Sequence, residues 1–171
     1  TGVEPVVLVE PLKALRKMGA GLRIFGAAGP KARIRMVMER RPAGITIDTG
    51  PYPGFPTDLQ SVFLAAEASG TGESQIRETV YEARFEAAVR LASFGADVSV
   101  HGDTAIIKGR YPLLPGVVET PDLRGGAALL VAALSAGGLS VVSDRGHLKR
   151  GYEDIGRDLR ILGADIEENI L

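Results

Sequence analysis

Four side chains of this chain have the types and placement to act on an anion and a hydroxyl: Asp58, Arg84, Arg124 and Arg150. Asp58 lies near the end of a stiff lead-in, Gly50-Pro51-Tyr52-Pro53-Gly54-Phe55-Pro56-Thr57-Asp58-Leu59-Gln60, whose prolines fix the backbone ahead of a helix over Leu59–Ala68. Thr57 reads as the N-cap and Asp58 as a first-turn residue, so the carboxylate is held in place. Such a carboxylate either caps the helix or takes a proton from a bound hydroxyl. The local pattern favours the cap, because caps are common and sites are few.

The arginines sit at comparable places. Arg124 follows Glu119-Thr120-Pro121-Asp122-Leu123, in which Thr120 reads as an N-cap and Pro121 as the first helical residue. Arg84 and Arg150 each read as the start of an exposed helix, where a cation opposes the dipole. A residue set against its local preference is a candidate for function. The competing reading pairs each arginine with a near acid, such as Glu82, Asp122 or Glu153, and the residues alone leave the two level. If the helix starts before Leu59 and after Thr120 lie side by side, their free N–H groups form one anion-attracting mouth.

Other polar residues carry less. His101 precedes a hairpin turn and reads as exposed; His147 lies in a loop before Arg150, where it can line a cleft. Arg40-Arg41 reads as a solvated pair, and Lys31, Arg33 and Arg35 as the solvent face of a strand. No metal-ligand spacing appears, and no phosphate- or dinucleotide-binding glycine pattern follows a strand.

The elements that must position these residues repeat. Leu15-Arg16-Lys17-Met18-Gly19-Ala20, Leu91-Ala92-Ser93-Phe94-Gly95-Ala96 and Leu159-Arg160-Ile161-Leu162-Gly163-Ala164 each end a helix on a glycine suited to the left-handed C′ position. Strands are expected at Arg33–Met38, Ile45–Ile47, Ser74–Arg77, Asp97–Val100, Thr104–Ile107, Leu139–Val142 and Asp165–Glu167. Two kinds of helix alternate with them. Tyr152, Ile155, Leu159 and Leu162 make one amphipathic stripe, and Phe85, Ala88, Val89 and Ala92 another. Val62–Ala66 and Gly125–Leu134 are apolar nearly all round, which marks helices buried on every side. The order reads β-α-β-α-β-β, with helices inside and sheets outside. An incomplete first unit covers about 1–48, a second about 49–110 and a third about 111–171. Val6–Met18 is the first unit's exposed helix, kinked or shortened by Pro11. Gly26–Pro30 is a turn within that unit, not a domain boundary.

Composition excludes several classes. The 171 residues hold no cysteine, so disulfides, thiolate metal sites and a cysteine nucleophile are absent from this chain. A formal net charge of −1 provides no basic field for nucleic acid or an anionic membrane. The apolar runs are too short to span a bilayer, and nothing at the N-terminus resembles a signal peptide. The start at Thr1, already in mid-structure, reads as a fragment or a trimmed chain.

Pro51–Gln60, Glu78-Thr79-Val80-Tyr81-Glu82 with Arg84-Phe85, Asp122-Leu123-Arg124, and His147 with Arg150-Gly151-Tyr152-Glu153 occur in an order and spacing that are specific together. By these the chain resembles the C-terminal portion of the UDP-N-acetylglucosamine 1-carboxyvinyltransferases, the enolpyruvyl transferases that begin bacterial peptidoglycan synthesis. The related 5-enolpyruvylshikimate-3-phosphate synthases share the architecture but have different motifs. The resemblance implies an inside-out α/β barrel domain of β-α-β-α-β-β units. It implies a cytoplasmic enzyme without cofactor, acting on phosphoenolpyruvate and UDP-N-acetylglucosamine. It also implies a second, N-terminal domain, not in this chain, which carries the loop cysteine and much of the uridine and phosphate site.

Carried over by position, Asp58 is the catalytic base toward the acceptor's 3-hydroxyl, and Val80 meets the uridine part through its backbone. Arg84, Arg124 and Arg150 surround phosphoenolpyruvate, with Arg124 and Arg150 near its carboxylate and Arg150 also catalytic. The fragment alone is expected to be inactive. Three positions depart from the family: Gly146 stands for a usual Tyr, Lys149 for Asp and Ala83 for Asn. They leave open a paralogue for another nucleotide acceptor. A non-catalytic binding module, for RNA, is the remaining alternative, opposed by the near-neutral charge and the lack of aromatic clusters.

Overall fold

The computed structural model describes residues 4–26, 32–82 and 84–168. Most of the turn expected at Gly26–Pro30, Lys31 and the departure at Ala83 lie outside them.

The chain begins with a 3₁₀ turn, Pro5–Leu8, that runs into α1 (Val9–Lys17), then β1 (Gly21–Phe25) and β2 (Arg33–Val37). Pro11 shortens the α-helix rather than kinking it. It sits in the first α-helical turn, where the missing N–H has no intrahelical partner to lose. A full run of six elements follows: β3 (Thr46–Asp48), α2 (Gln60–Ala68), β4 (Glu73–Arg77), α3 (Glu86–Leu91), β5 (Asp97–His101) and β6 (Thr104–Lys108). The next run has four: β7 (Val117–Glu119), α4 (Leu123–Leu134), β8 (Val141–Ser143) and α5 (Ile155–Ile161). β3 lies just before the boundary drawn at residue 49, yet it pairs with β4 and so opens the second run.

β3 pairs parallel with β4, and β7 pairs parallel with β8, each pair spanning one buried helix. β4, β6 and β5 continue the larger sheet antiparallel. β4 buries Ser74 and Ile76 and exposes Glu73, Gln75 and Arg77, the alternation of a sheet covered on one face. That face meets the helices. α2 and α4 pack against each other, and α3 packs on both. Leu64, Ala65 and Ala68 of α2 and Ala128, Leu129 and Ala132 of α4 have no exposed surface. Gly126 lets the first turns of α4 close on its neighbours, since a Cβ there would stand 2.9 Å from Leu148 Cδ2 and 3.1 Å from Thr120 Cγ2. Helices inside and sheets outside is therefore the architecture.

The three Gly-Ala termini are one motif. Gly19, Gly95 and Gly163 have φ of 105°, 68° and 97°. In each, the glycine N–H donates three residues back, and the following alanine N–H donates five residues back: Ala20 to Leu15, Ala96 to Leu91 and Ala164 to Leu159. These are Schellman caps. Gly95→Ala is expected to cost about 1–2 kcal/mol, because an L-residue resists that backbone and the added methyl would meet Leu114 Cδ1 at 2.9 Å. Gly163→Ala, where a methyl meets nothing within 4 Å, falls at the lower end; urea unfolding of the two variants checks the ranking.

Three expectations fail. Asp165–Glu167 is not a strand: Arg160 holds that segment against α5 by a bond to the Ile166 carbonyl and an ion pair to Glu168, and no described strand pairs with it. The stripe Phe85, Ala88, Val89, Ala92 is displaced. Val89 is 70% exposed, while Ala87 and Leu91 are buried beside Phe85 and Ala88. On α5, Ile155 and Leu159 are half-buried, but Leu162, just past its end, is 82% exposed.

Candidate functional site

The lead-in is rigid by construction. Gly50 N–H donates to the Phe55 carbonyl at 2.9 Å, closing the proline loop, and Phe55 is buried edge-on to Phe63 of α2. The chain leaves this loop in a 3₁₀ turn, Thr57–Leu59, that continues into α2. Asp58 lies in the first turn, as expected, with its side chain 62% exposed.

Thr57 is not the N-cap. It is the first residue of the turn, after Pro56, and its hydroxyl is committed elsewhere. It donates to Glu78 Oε2 at 2.7 Å and accepts from Arg84 Nη1 at 2.7 Å. Thr120 is not a cap either. It is buried and donates to Asp144 Oδ1, and Asp122 caps α4 by accepting from the N–H groups of Arg124 and Gly125 at 2.7 and 2.8 Å. Asp122, directly before the helix and with its carboxylate oxygens three bonds from Cα, reaches the second and third N–H groups readily, whereas Thr120 lies just past β7 with its hydroxyl on Asp144.

Asp58 and Arg124, 66 residues apart, meet at 2.6 Å between Oδ1 and Nε. The beginnings of the two buried helices are thus adjacent. Arg84 Nη1 stands 3.8 Å from the same oxygen, and its guanidinium carbon lies 4.3 Å over the Tyr81 ring. The bond to Asp58 raises the Arg124 guanidinium further above its ordinary range. Neither arginine takes Glu82 or Asp122 as its side-chain ion-pair partner among the described residues; both turn to Asp58. The dipole argument for Arg84 and Arg150 also fails. Arg84 precedes α3, and Arg150 closes a 3₁₀ turn, Leu148–Arg150, ahead of α5.

Arg150 is exposed, and the structure does not bring its guanidinium onto the Asp58 cluster. Its turn packs on the start of α4, where Leu148 meets Gly126 and Gly151 meets Leu123. Val80 is partly exposed, and its N–H is spent on Glu78 Oε1 at 2.8 Å. His101 is exposed in β5; His147 precedes the Leu148–Arg150 turn, with its N–H on Asp144. Arg33 and Arg35 face solvent as expected. Arg41 is not merely solvated: it donates to the Gly70 carbonyl and lies over Tyr111.

Glu78 and Asp144 were missed in the sequence. Glu78 is 3% exposed. Burial pushes its carboxyl up, but bonds from Thr57, the Val80 N–H, Thr49 and the Tyr81 N–H outweigh this and hold it below the usual carboxylate range. Asp144 is more exposed, but its carboxyl is likewise held below the usual range: what desolvation it has pushes it up, and the bonds from Thr120 and the N–H groups of Leu148, Gly146 and His147 prevail. The available signal was an acid just past each second parallel strand, paired with a threonine just past each first one.

An open cavity of about 290 Å³ adjoins the cluster, lined by Ser61, Tyr81, Glu82, Arg84, Glu86, Ala87 and Asp122. A carboxylate between two guanidinium groups, at adjoining helix starts, can accept a proton from a bound hydroxyl while the cations hold an anion beside it.

Buried helices enclosed by outer sheets, with one full β-α-β-α-β-β run and two partial ones among the described residues, define an inside-out α/β domain. Residues 4–159 match the EPSP synthase (3-phosphoshikimate 1-carboxyvinyltransferase) family, and the chain belongs to it. A UDP-N-acetylglucosamine 1-carboxyvinyltransferase of Symbiobacterium thermophilum is 40% identical over 165 residues, 96% of this chain and 38% of that protein. One from Coprothermobacter proteolyticus is 42% identical over 162 residues, 95% of this chain and 37% of its own. The enolpyruvyl transferase NikO of Streptomyces tendae superposes with a TM-score of 0.79 at 30% identity, over 94% of this chain and 36% of that one. The chain therefore spans under two-fifths of the relatives it matches.

Proposed function

We propose that this chain is part of an enolpyruvyl transferase that moves the enolpyruvyl group of phosphoenolpyruvate to the 3-hydroxyl of UDP-N-acetylglucosamine and releases phosphate, the first committed step of peptidoglycan synthesis. The observation that carries this reading is the junction of Asp58 with Arg124 and Arg84 at the two helix starts. The sugar hydroxyl oxygen bonds to C2 of phosphoenolpyruvate as Asp58 takes its proton, and C3 gains a proton from an acid of the completed site. C3 then gives up a proton to a base as the bond from C2 to the phosphate oxygen breaks, so phosphate leaves and the double bond returns. Arg84, Arg124 and Arg150 hold the carboxylate and phosphate, for which planar two-point donors are suited. Fixed cations at a developing charge are commonly the largest catalytic term. Val80 contacts the uridine part through its backbone, with the carbonyl the group still available.

The chain forms one domain, an incomplete first unit followed by two more, and a second domain of the same cytoplasmic enzyme supplies the rest of the cleft. This chain alone is inactive. The test is phosphate release from phosphoenolpyruvate by the intact protein with UDP-N-acetylglucosamine; no release with that acceptor sinks the reading.

A second reading is a paralogue for another nucleotide acceptor. Gly146 favours it: φ is +92°, a conformation that suits glycine and not the usual tyrosine, so the loop beside Lys149 and Arg150 follows its own path. Turnover with a panel of nucleotide acceptors separates the two.

A further inference from the structure

We propose that Thr57 and Glu78 are positioning residues for Arg84: they aim its guanidinium at the anion site without neutralising it. The kinetic part of this inference rests on the function proposed above, while the geometry stands apart from it.

The internal repeat separates what the fold requires from what is added. In the run from β7 to β8, the Thr120 N–H donates to the Ser143 carbonyl and the Thr120 hydroxyl to Asp144 Oδ1. Asp144 uses both oxygens on this threonine and on the N–H groups of Gly146, His147 and Leu148. In the run from β3 to β4, the Thr49 N–H donates to the Arg77 carbonyl and the Thr49 hydroxyl to Glu78 Oε1 at 2.8 Å. The same oxygen accepts from the Val80 and Tyr81 N–H groups at 2.8 and 3.1 Å. One oxygen of Glu78 therefore does the structural work that occupies both oxygens of Asp144. Glu78 Oε2 is left over, and it accepts from Thr57 alone among the described residues.

The direction of that chain is fixed. Thr57 has one hydroxyl proton, which the ionised Glu78 takes, so its lone pairs face Arg84 Nη1 at 2.7 Å. The glutamate is one hydrogen bond removed from the arginine. It polarises the threonine and orients the guanidinium, yet forms no direct ion pair with it. The third support is Tyr81, whose N–H is fixed by Glu78 and whose ring lies under the guanidinium at 4.3 Å. A single buried carboxylate thus sets both contacts that hold Arg84, and the arginine's remaining donors stay free toward Asp58 and the open cavity.

The test uses the intact protein with Thr57→Val, Thr57→Ser, Arg84→Ala and the Thr57→Val/Arg84→Ala double variant. Thr57→Val keeps the shape and removes the hydroxyl. It is expected to raise KM for phosphoenolpyruvate about tenfold, the equivalent of one lost hydrogen bond. Thr57→Ser restores the wild-type value to within about twofold. In the Arg84→Ala background Thr57→Val adds nothing, because it acts only through Arg84. Additive losses in the double variant, or a serine that fails to rescue, overturn the proposal. If the wild-type protein does not turn over phosphoenolpyruvate, the function reading fails, and nitrogen NMR of the Arg84 side chain decides the geometry instead. Slow guanidinium rotation in wild type and fast rotation in Thr57→Val support positioning; equal rotation in both removes it.

Discussion

Asp58→Asn in the intact protein is expected to lower kcat for phosphate release by about 10²- to 10⁴-fold, the range that a positioned general base contributes. Asparagine keeps the size of the side chain and can still accept from Arg124 Nε, which lies 2.6 Å from the native Oδ1. What it cannot do is take a proton. The loss should therefore fall on kcat, with KM for the acceptor changed far less. Misfolding is not a competing explanation, because Asp58 is 62% exposed and an exposed ion pair contributes only about 0–1 kcal/mol. An unchanged urea midpoint would establish this directly. Full kcat in Asp58→Asn would remove Asp58 from the role of base and leave it as an anchor for Arg124.

The second expectation concerns a residue that no reading of the sequence singled out, and the reason lies in what a sequence displays. The helix containing Val62–Ala66 announces itself as buried because every side is apolar. Glu67, one residue further on and within the same helix, is an acid that breaks that pattern. Burial instead follows from β4, which closes over the end of α2 and brings Ser74 to Glu67. Partnerships of this kind are set by contacts between elements, and no spacing records them. The Gly-Ala caps were legible because a Schellman terminus is a local device with a local signature. The helix starts at Thr57 and Thr120 were legible as starts but not in their chemistry. The distant acids Glu78 and Asp144 claim both hydroxyls, and capping at α4 passes to Asp122. Asp58 and Arg124 were each visible as candidates. Their contact depended on the packing of α2 on α4.

Glu67 is 1% exposed on α2, with Ser74 Oγ donating to Oε2 at 2.6 Å and no partner for Oε1 among the described residues. Burial pushes its carboxyl up from 4.5 to about 7, and the bond from Ser74 opposes only part of this. The folded chain therefore keeps a proton that the unfolded chain releases. The stability tied to that proton is fully present below pH 4.5 and is lost as pH rises toward and through about 7. The whole loss amounts to roughly 3 kcal/mol, a large share of a domain's net stability. Glu67→Gln carries no charge to bury and still accepts from Ser74. Its unfolding free energy should match wild type near pH 4.5 and exceed it by about 2–3 kcal/mol above pH 7. Urea unfolding at pH 5 and pH 8 reads the difference as a steeper pH dependence in the wild type. Parallel pH profiles for the two proteins would show that Glu67 ionises normally inside the fold. Such a result would require a charge-stabilising partner that α2 and β4 do not provide.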